Sequence, residues 1–271
     1  MSESLKKYSP ENLSSDFVAL YEAFVQSIGP ESILRMAPTP SGFLHRGNLL
    51  NFYLNWYAAS SRGARLLLRI DDLDADRKRP GYVAGIFETL RKYGFSWDVG
   101  PGKEMTDPNA CVADFEAEWS QHHRINLYND LLARLRETGL LFACRKSRKD
   151  IAAAGGVYPP EFREQGLSLD DPDVAWRIKT AGLDSSVQDF VVRRRDGIPS
   201  YQVACVADDL FFGVTHIIRG EDLEPSTRAQ LWLAGLLGEN AFTEIRFLHH
   251  PLVRNERGEK LSKSAGDGIR G

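Results

Sequence analysis

The sequence predicts an α/β protein in which helices cover a parallel β-sheet. Three observations carry that expectation. Residues 33–70 read as strand, loop, helix and strand in succession. Strands and a helix alternate again between 174 and 248. The 271 residues are 42% hydrophobic and 26% charged, an ordinary globular composition.

Phe17, Val18, Leu20, Tyr21, Phe24, Val25 and Ile28 recur at helical spacing until Gly29-Pro30 stops the run. This first helix serves either to pack on the domain behind it or to contact a partner. A short buried strand follows at 33–37, then the breaker-rich Pro38-Thr39-Pro40-Ser41-Gly42. A helix over 48–61 would turn Leu49, Leu50, Tyr53, Leu54, Tyr57 and Ala58 to one side. A second strand is expected at 65–70 and a helix over 81–93, just after Pro80. Residues 95–120, with Pro101, Gly102 and Pro108, read as irregular. A helix over 123–138 ends at Gly139, and the mixed-charge stretch 145–173 reads as an insertion. Strands return at 174–179, 189–194 and 214–219, followed by a helix over 227–237 and a strand at 245–248.

Several classes are excluded. No stretch approaches the ~18 apolar residues of a membrane span, and the amino terminus lacks the pattern of a secretory signal. Cys111, Cys144 and Cys205 are widely spaced and odd in number, which argues against a disulfide framework and for the reducing cytoplasm. With 34 basic and 37 acidic residues the net charge is −3, so any nucleic acid must be held by a local patch.

Two stretches suit phosphate chemistry. His45-Arg46-Gly47-Asn48 lies where the first strand gives way to its helix, the usual place for anions in a parallel sheet. His45 and Asn48 can donate hydrogen bonds there and Gly47 permits close approach, although Asn48 equally suits a helix cap. Lys260-Leu261-Ser262-Lys263-Ser264 offers two ammonium groups for a polyphosphate, or a solvated basic loop. The runs 145–149 and 193–195 are candidates for RNA phosphates, or plain solvated faces.

Taken together, Phe43-Leu44-His45-Arg46-Gly47-Asn48 and Lys260-Leu261-Ser262-Lys263-Ser264 resemble the HIGH and KMSKS signatures of class I aminoacyl-tRNA synthetases. The strings at 35–42, 68–74, 196–204 and 218–223, with Asp208-Asp209, resemble the glutamyl-tRNA synthetase family, and the likeness runs over roughly 33–270. The resemblance implies a Rossmann-like doubly wound parallel sheet with an inserted acceptor-binding-type subdomain and an extra N-terminal helix. It also implies ATP with Mg²⁺, L-glutamate and a tRNA as reactants. His45, Asn48 and Lys263 would hold ATP, with Lys260 assisting. Arg35, Ala37, Thr39, Asp71, Tyr201 and Arg219 would form the glutamate pocket. Arginine forks suit two carboxylates and an acid suits the ammonium.

Two departures stand out. The family has glutamate where Asp71 stands, and the glutaminyl branch has aspartate. Arg219 still favours glutamate, because facing a neutral amide would leave its buried charge unpaired. The family's related zinc site is Cys-x-Cys, Tyr, Cys; here the positions are Cys144, Lys146, Tyr158 and Phe162, so no structural zinc is expected. Cys144 then reads as a small buried hydrophobe.

The chain ends at Gly271, soon after the lysine loop, where glutamyl-tRNA synthetases continue into anticodon-binding domains. That length resembles a shorter paralogue that places glutamate on queuosine in the anticodon of tRNA(Asp) and carries no anticodon-binding domain. The expected organisation is an extension over 1–30, a first catalytic half over 31–100, an insertion over 101–190 and a second half over 191–271. A cytoplasmic monomer without membrane contact is expected. Two rival readings are a truncated or divergent glutamyl-tRNA synthetase charging the 3′ end, and a non-catalytic nucleotide- or protein-binding paralogue.

Overall fold

A computed structural model of the chain describes residues 13–76, 78–180 and 187–253. Along them run α1 (Ser15–Gln26), β1 (Ile33–Met36), α2 (Arg46–Arg62), β2 (Arg65–Leu68), α3 (Pro80–Lys92) and α4 (Pro108–Asp114). Next come α5 (Ile125–Glu137), β3 (Leu141–Cys144), α6 (Arg148–Ala153), β4 (Ala175–Ile178), β5 (Phe190–Arg193) and α7 (Tyr201–Phe211). The series closes with β6 (His216–Gly220), α8 (Glu224–Leu236), α9 (Asn240–Thr243) and β7 (Arg246–His250). These elements form two compact units, one drawn from 1–123, 213–224 and 244–271, the other from 124–212 and 225–243. Among the described residues no helix is long and apolar enough to cross a membrane.

In the first unit β1 and β2 pair in parallel, from Ile33 opposite Arg65 to Met36 opposite Leu68, with α2 as the crossover. β6 and β7 also pair in parallel, from His216 opposite Arg246 to Gly220 opposite His250. The two pairs meet where Thr215 N–H donates to the Ile33 carbonyl at 3.0 Å and Ile33 N–H donates to Thr215 Oγ1 at 3.0 Å. Asn51, early in α2, donates to the Ile218 carbonyl at 2.9 Å, so the helix that follows β1 reaches the later half of β6. Beyond β2 the chain runs flush against it, Leu68 N–H donating to the Val99 carbonyl at 2.8 Å. Gly100 makes that approach feasible: at φ 123° its place would put a Cβ 2.3 Å from the Leu68 carbonyl oxygen.

The core of this unit joins Leu34, Met36, Leu66 and Leu68 of the strands to Leu49, Phe52 and Tyr53 of α2 and Phe87 of α3. α1 packs on it through Phe17, Tyr21 and Phe24, and Ile28 is buried just beyond. Tyr21 Oη donates to the Leu54 carbonyl at 2.8 Å, and the Phe24 ring meets His216 edge-on at 5.4 Å. The first helix therefore packs as a core element, although Leu20 faces solvent at 61% exposure. Tyr57, expected on the inner side of α2, is exposed at 43% because Phe52 and Ala59 take the buried positions. The stretch 95–120 is not irregular throughout: Asp107 caps α4 by accepting from Ala110 N–H at 2.9 Å, with Pro108 at the first helical position.

The second unit contains an antiparallel sheet in the order β3-β4-β5. The strands expected at 174–179 and 189–194 thus pair with each other and with β3, a strand the sequence reading leaves unassigned. α7, also unassigned, is anchored from within. Arg124 grips the fully buried Asp208 with two hydrogen bonds, 2.7 and 3.2 Å, and Tyr128 Oη donates to the same carboxylate at 2.7 Å. Losing one partner of so buried an ion pair costs ~3–5 kcal/mol.

Candidate active site

The loop after β1 ends in an uncommon helix cap. His45 is the N-cap of α2, and its Nδ1 accepts from Gly47 N–H at 3.1 Å. Asn48 Oδ1 accepts in return from His45 N–H at 3.0 Å, completing a capping box. The cap and ligand readings of Asn48 are therefore compatible. Since Nδ1 is an acceptor, the neutral imidazole carries its proton on Nε2, and Asn48 keeps its amide N–H groups as donors. Gly47 is required by the ring itself: a Cβ there would lie 3.0 Å from His45 Cε1 and 3.1 Å from Nδ1.

Most of the residues singled out for an amino acid belong to the same unit as this cap. Arg35 is buried in β1, while Ala37 is half-buried and Thr39 exposed in the loop beyond it. Asp71 follows β2 and is tied to that same loop, its N–H donating to the Pro38 carbonyl at 2.9 Å. Arg219 sits near the end of β6, 3% exposed, with its guanidinium 5.0 Å from the Phe247 ring centroid. The first unit thus gathers two buried arginines, one buried acid and a donor-bearing helix start near the ends of its strands. Tyr201 belongs to the second unit, where it opens α7 and is 41% exposed. Lys260 and Lys263 lie outside the described residues.

A side chain that the sequence reading leaves without a role holds this acid, and the acid's neighbour anchors the loop. Arg69 Nε donates to Asp71 Oδ1 at 2.6 Å and its Nη2 to Oδ2 at 3.1 Å, a buried bidentate pair. On extended backbone, positions i and i+2 share a face, which is the signal that could have found it. Asp72 next door is a tether: it accepts from Ser120 Oγ at 2.7 Å, Gln121 N–H at 2.8 Å and Lys78 Nζ at 2.9 Å. Burial opposes the charge on Lys78, but its ion pairs to Glu116 and Asp72 prevail and raise its pKa. At the far end of β7, His250 is buried and held neutral, its pKa lowered by burial. Its Nδ1 donates to the Pro251 carbonyl at 2.9 Å and its Nε2 accepts from Asn51 Nδ2 at 3.2 Å.

The positions related to a zinc site lie together in the second unit. Cys144 Sγ is 3.2 Å from Tyr158 Oη, Phe162 meets the Tyr158 ring edge-on at 5.8 Å, and Lys146 Nζ stands 4.6 Å from the Phe162 centroid. Burial raises the Cys144 pKa, yet hydrogen bonds from Tyr158, Gln165 and the Lys146 N–H outweigh it and leave the thiol below its ordinary value. An ammonium and a phenyl ring supply no lone pair to Zn²⁺, so this donor set does not fit the ion.

Comparison with known proteins narrows the class. The model of the class I tRNA synthetases (E and Q), catalytic domain, matches residues 33–155 and 163–269. The glutamate–tRNA synthetase of Elizabethkingia anophelis superposes with a TM-score of 0.69 at 24% identity, a likeness of fold. It covers 88% of this chain and 53% of that one, so the chain spans about half the length of the solved relative. These matches define a class I tRNA synthetase catalytic domain. Proteins named glutamyl-Q tRNA(Asp) synthetase from Pseudomonas fluorescens and Pseudomonas syringae pv. syringae are both 39% identical to it, over 85% and 87% of this chain and 75% and 78% of theirs. The chain belongs to the glutamyl-Q tRNA(Asp) synthetase family within that class.

Proposed function

We propose that this chain activates L-glutamate with ATP and transfers the glutamyl group to queuosine at the wobble position of tRNA(Asp). The observation that carries this reading is the 39% identity to curated glutamyl-Q tRNA(Asp) synthetases over 85% of the chain. In the first step an oxygen of the glutamate α-carboxylate attacks the α-phosphorus of magnesium–ATP, and the bond to pyrophosphate breaks. A queuosine hydroxyl then attacks the acyl carbon, and AMP and a proton are released.

The substrates bring their own nucleophiles, so the protein's work is positioning and charge stabilisation. In this reading the Nε2–H of His45 and the amide of Asn48 donate to triphosphate or ribose oxygens, helped by Lys263 and Lys260. Arg35 and Arg219 receive the two carboxylates of glutamate, and Asp71 its ammonium. Ala37 and Thr39 line the same place, and Tyr201 adds a phenolic hydrogen bond. The fixed tautomer of His45 supports the ATP assignment, since Gly47 N–H already occupies Nδ1.

ATP–pyrophosphate exchange with glutamate, glutamine and aspartate side by side, with and without tRNA, tests the reading. Glutamate-dependent exchange is expected, and Lys263→Ala should lower it at least tenfold, one charged contact being worth ~1.4 kcal/mol or more. Exchange with none of the three amino acids under either condition would leave a binding protein in place of a ligase.

A further inference from the structure

The two basic runs, nearly fifty residues apart in sequence, are brought together by the antiparallel sheet. β3 pairs with β4 and β4 with β5, so β3 and β5 leave the sheet at the same end, and Ala143, Trp176 and Arg193 lie in one row across it. Residues 145–149 follow β3 at that end. The turn that carries Arg195, closed by Arg194 N–H to the Ile198 carbonyl at 2.8 Å, follows β5. The Arg195 guanidinium donates to the Arg145 carbonyl and pins the two runs to each other. Ser147 and Asp150 form a capping box that fixes the first turn of α6, where Arg148 and Lys149 stand exposed.

The cations of this region divide into three sorts. Arg136, Arg163 and Arg194 are matched by the carboxylates of Asp170, Asp189 and Asp196 at 2.5–2.6 Å. Lys146 lies over the Phe162 ring. Arg145, Arg148, Lys149 and Arg195 are exposed and make no ion pair among the described residues. The carboxylate of Asp150, the acid nearest them in sequence, accepts from Ser147 N–H at 2.6 Å and also feels the charges of Lys146 and Arg195, while the Arg145 guanidinium donates to the Pro172 carbonyl at 3.0 Å.

From this we infer that Arg145, Arg148, Lys149 and Arg195 form one surface that binds the phosphate backbone of RNA. Held at one sheet end, four exposed cations against the nearby carboxylate of Asp150 suit a polyanion with regularly spaced charges. That the polyanion is RNA rests on the ligase reading above; that these four groups act together rests on the geometry alone. They would position the tRNA without reading its sequence, since phosphate contacts carry no base information.

The test titrates labelled tRNA(Asp) into the full chain by fluorescence anisotropy at a series of salt concentrations. The variant Arg148→Gln/Lys149→Gln changes two exposed side chains and leaves the Arg195–Arg145 contact intact; a second variant adds Arg195→Gln. Affinity should fall at least tenfold for the first, and the log–log salt slope should shrink by about one for each cation removed. Glutamate-dependent pyrophosphate exchange should stay unchanged in both. Arg136→Gln, which removes a matched cation from the same unit, should leave affinity within twofold. Unchanged affinity and slope in the glutamine variants overturns the inference, as does an equal loss with Arg136→Gln. Failure of exchange in the unaltered protein would instead strike the ligase reading.

Discussion

At the scale of single residues, the site depends on side chains that hold other side chains. Arg69 grips the Asp71 carboxylate with both arms of its fork, and both groups are buried. Lysine would keep the charge and lose the bidentate geometry. Arg69→Lys is therefore expected to raise the KM for glutamate about tenfold, the worth of one charged hydrogen bond, and to leave the KM for ATP within twofold. An equal rise in both constants would count against Asp71 as the ammonium contact. Histidine supplies the pH dependence. His216 and His250 both have pKa values lowered by burial, and His216 also faces Arg246. In the unfolded chain these rings take up protons near pH 6.5, whereas in the fold they resist. Their contribution to stability is thus complete above about pH 6.5 and declines as pH falls through the folded-state values. Urea midpoints measured from pH 7.5 to 5.5 should fall, and His250→Gln should flatten that fall. A midpoint that rises with acidity would contradict the assignment of neutral rings.

Elements differ in how openly the sequence announces them. β1, α2 and β2 are readable because Ile33-Leu34, the Leu49–Ala58 periodicity (Tyr57 apart) and Leu66-Leu67-Leu68 bury their apolar side chains, with breakers between them. β3 is four apolar residues directly after the helix stop at Gly139, too short for any period to declare itself. α4 carried a usable signal, Asp107-Pro108, amid the prolines and glycines that suggested disorder of pattern. α7 was masked by function-like residues: the buried Asp208-Asp209 pair reads as chemistry, and Asp208 proves to be the anchor for Arg124 and Tyr128. Of the candidate site, the places of Arg35 and Arg219 on strands follow from the apolar residues around them. The Arg69–Asp71 pairing and the convergence of the basic runs could not be read in advance, because both depend on strand register and turn geometry. α1 lies ahead of the residues that match the family model and yet packs on the core of the first unit. Phe24→Ala should accordingly cost ~3–5 kcal/mol in denaturant unfolding. A loss below about 1 kcal/mol would mean the helix contributes little to that core.

For the whole molecule, one unit combines parallel strands with a donor-bearing helix start, buried arginines and a buried acid, while the sheet of the other presents an end rich in exposed cations. Both features fit a family that joins an activated amino acid to an RNA. The net charge of −3 fits as well, since it leaves RNA binding to a local surface and not to the field of the whole chain. What separates this reading from a synthetase that charges the 3′ end is where the glutamyl group lands. Labelled glutamate, ATP and the protein should be incubated with tRNA from cells that make queuosine and from cells that do not. The account predicts label on the queuosine-containing tRNA alone, released with the anticodon fragment on ribonuclease mapping; label on queuosine-free tRNA, or at the terminal adenosine, would contradict it.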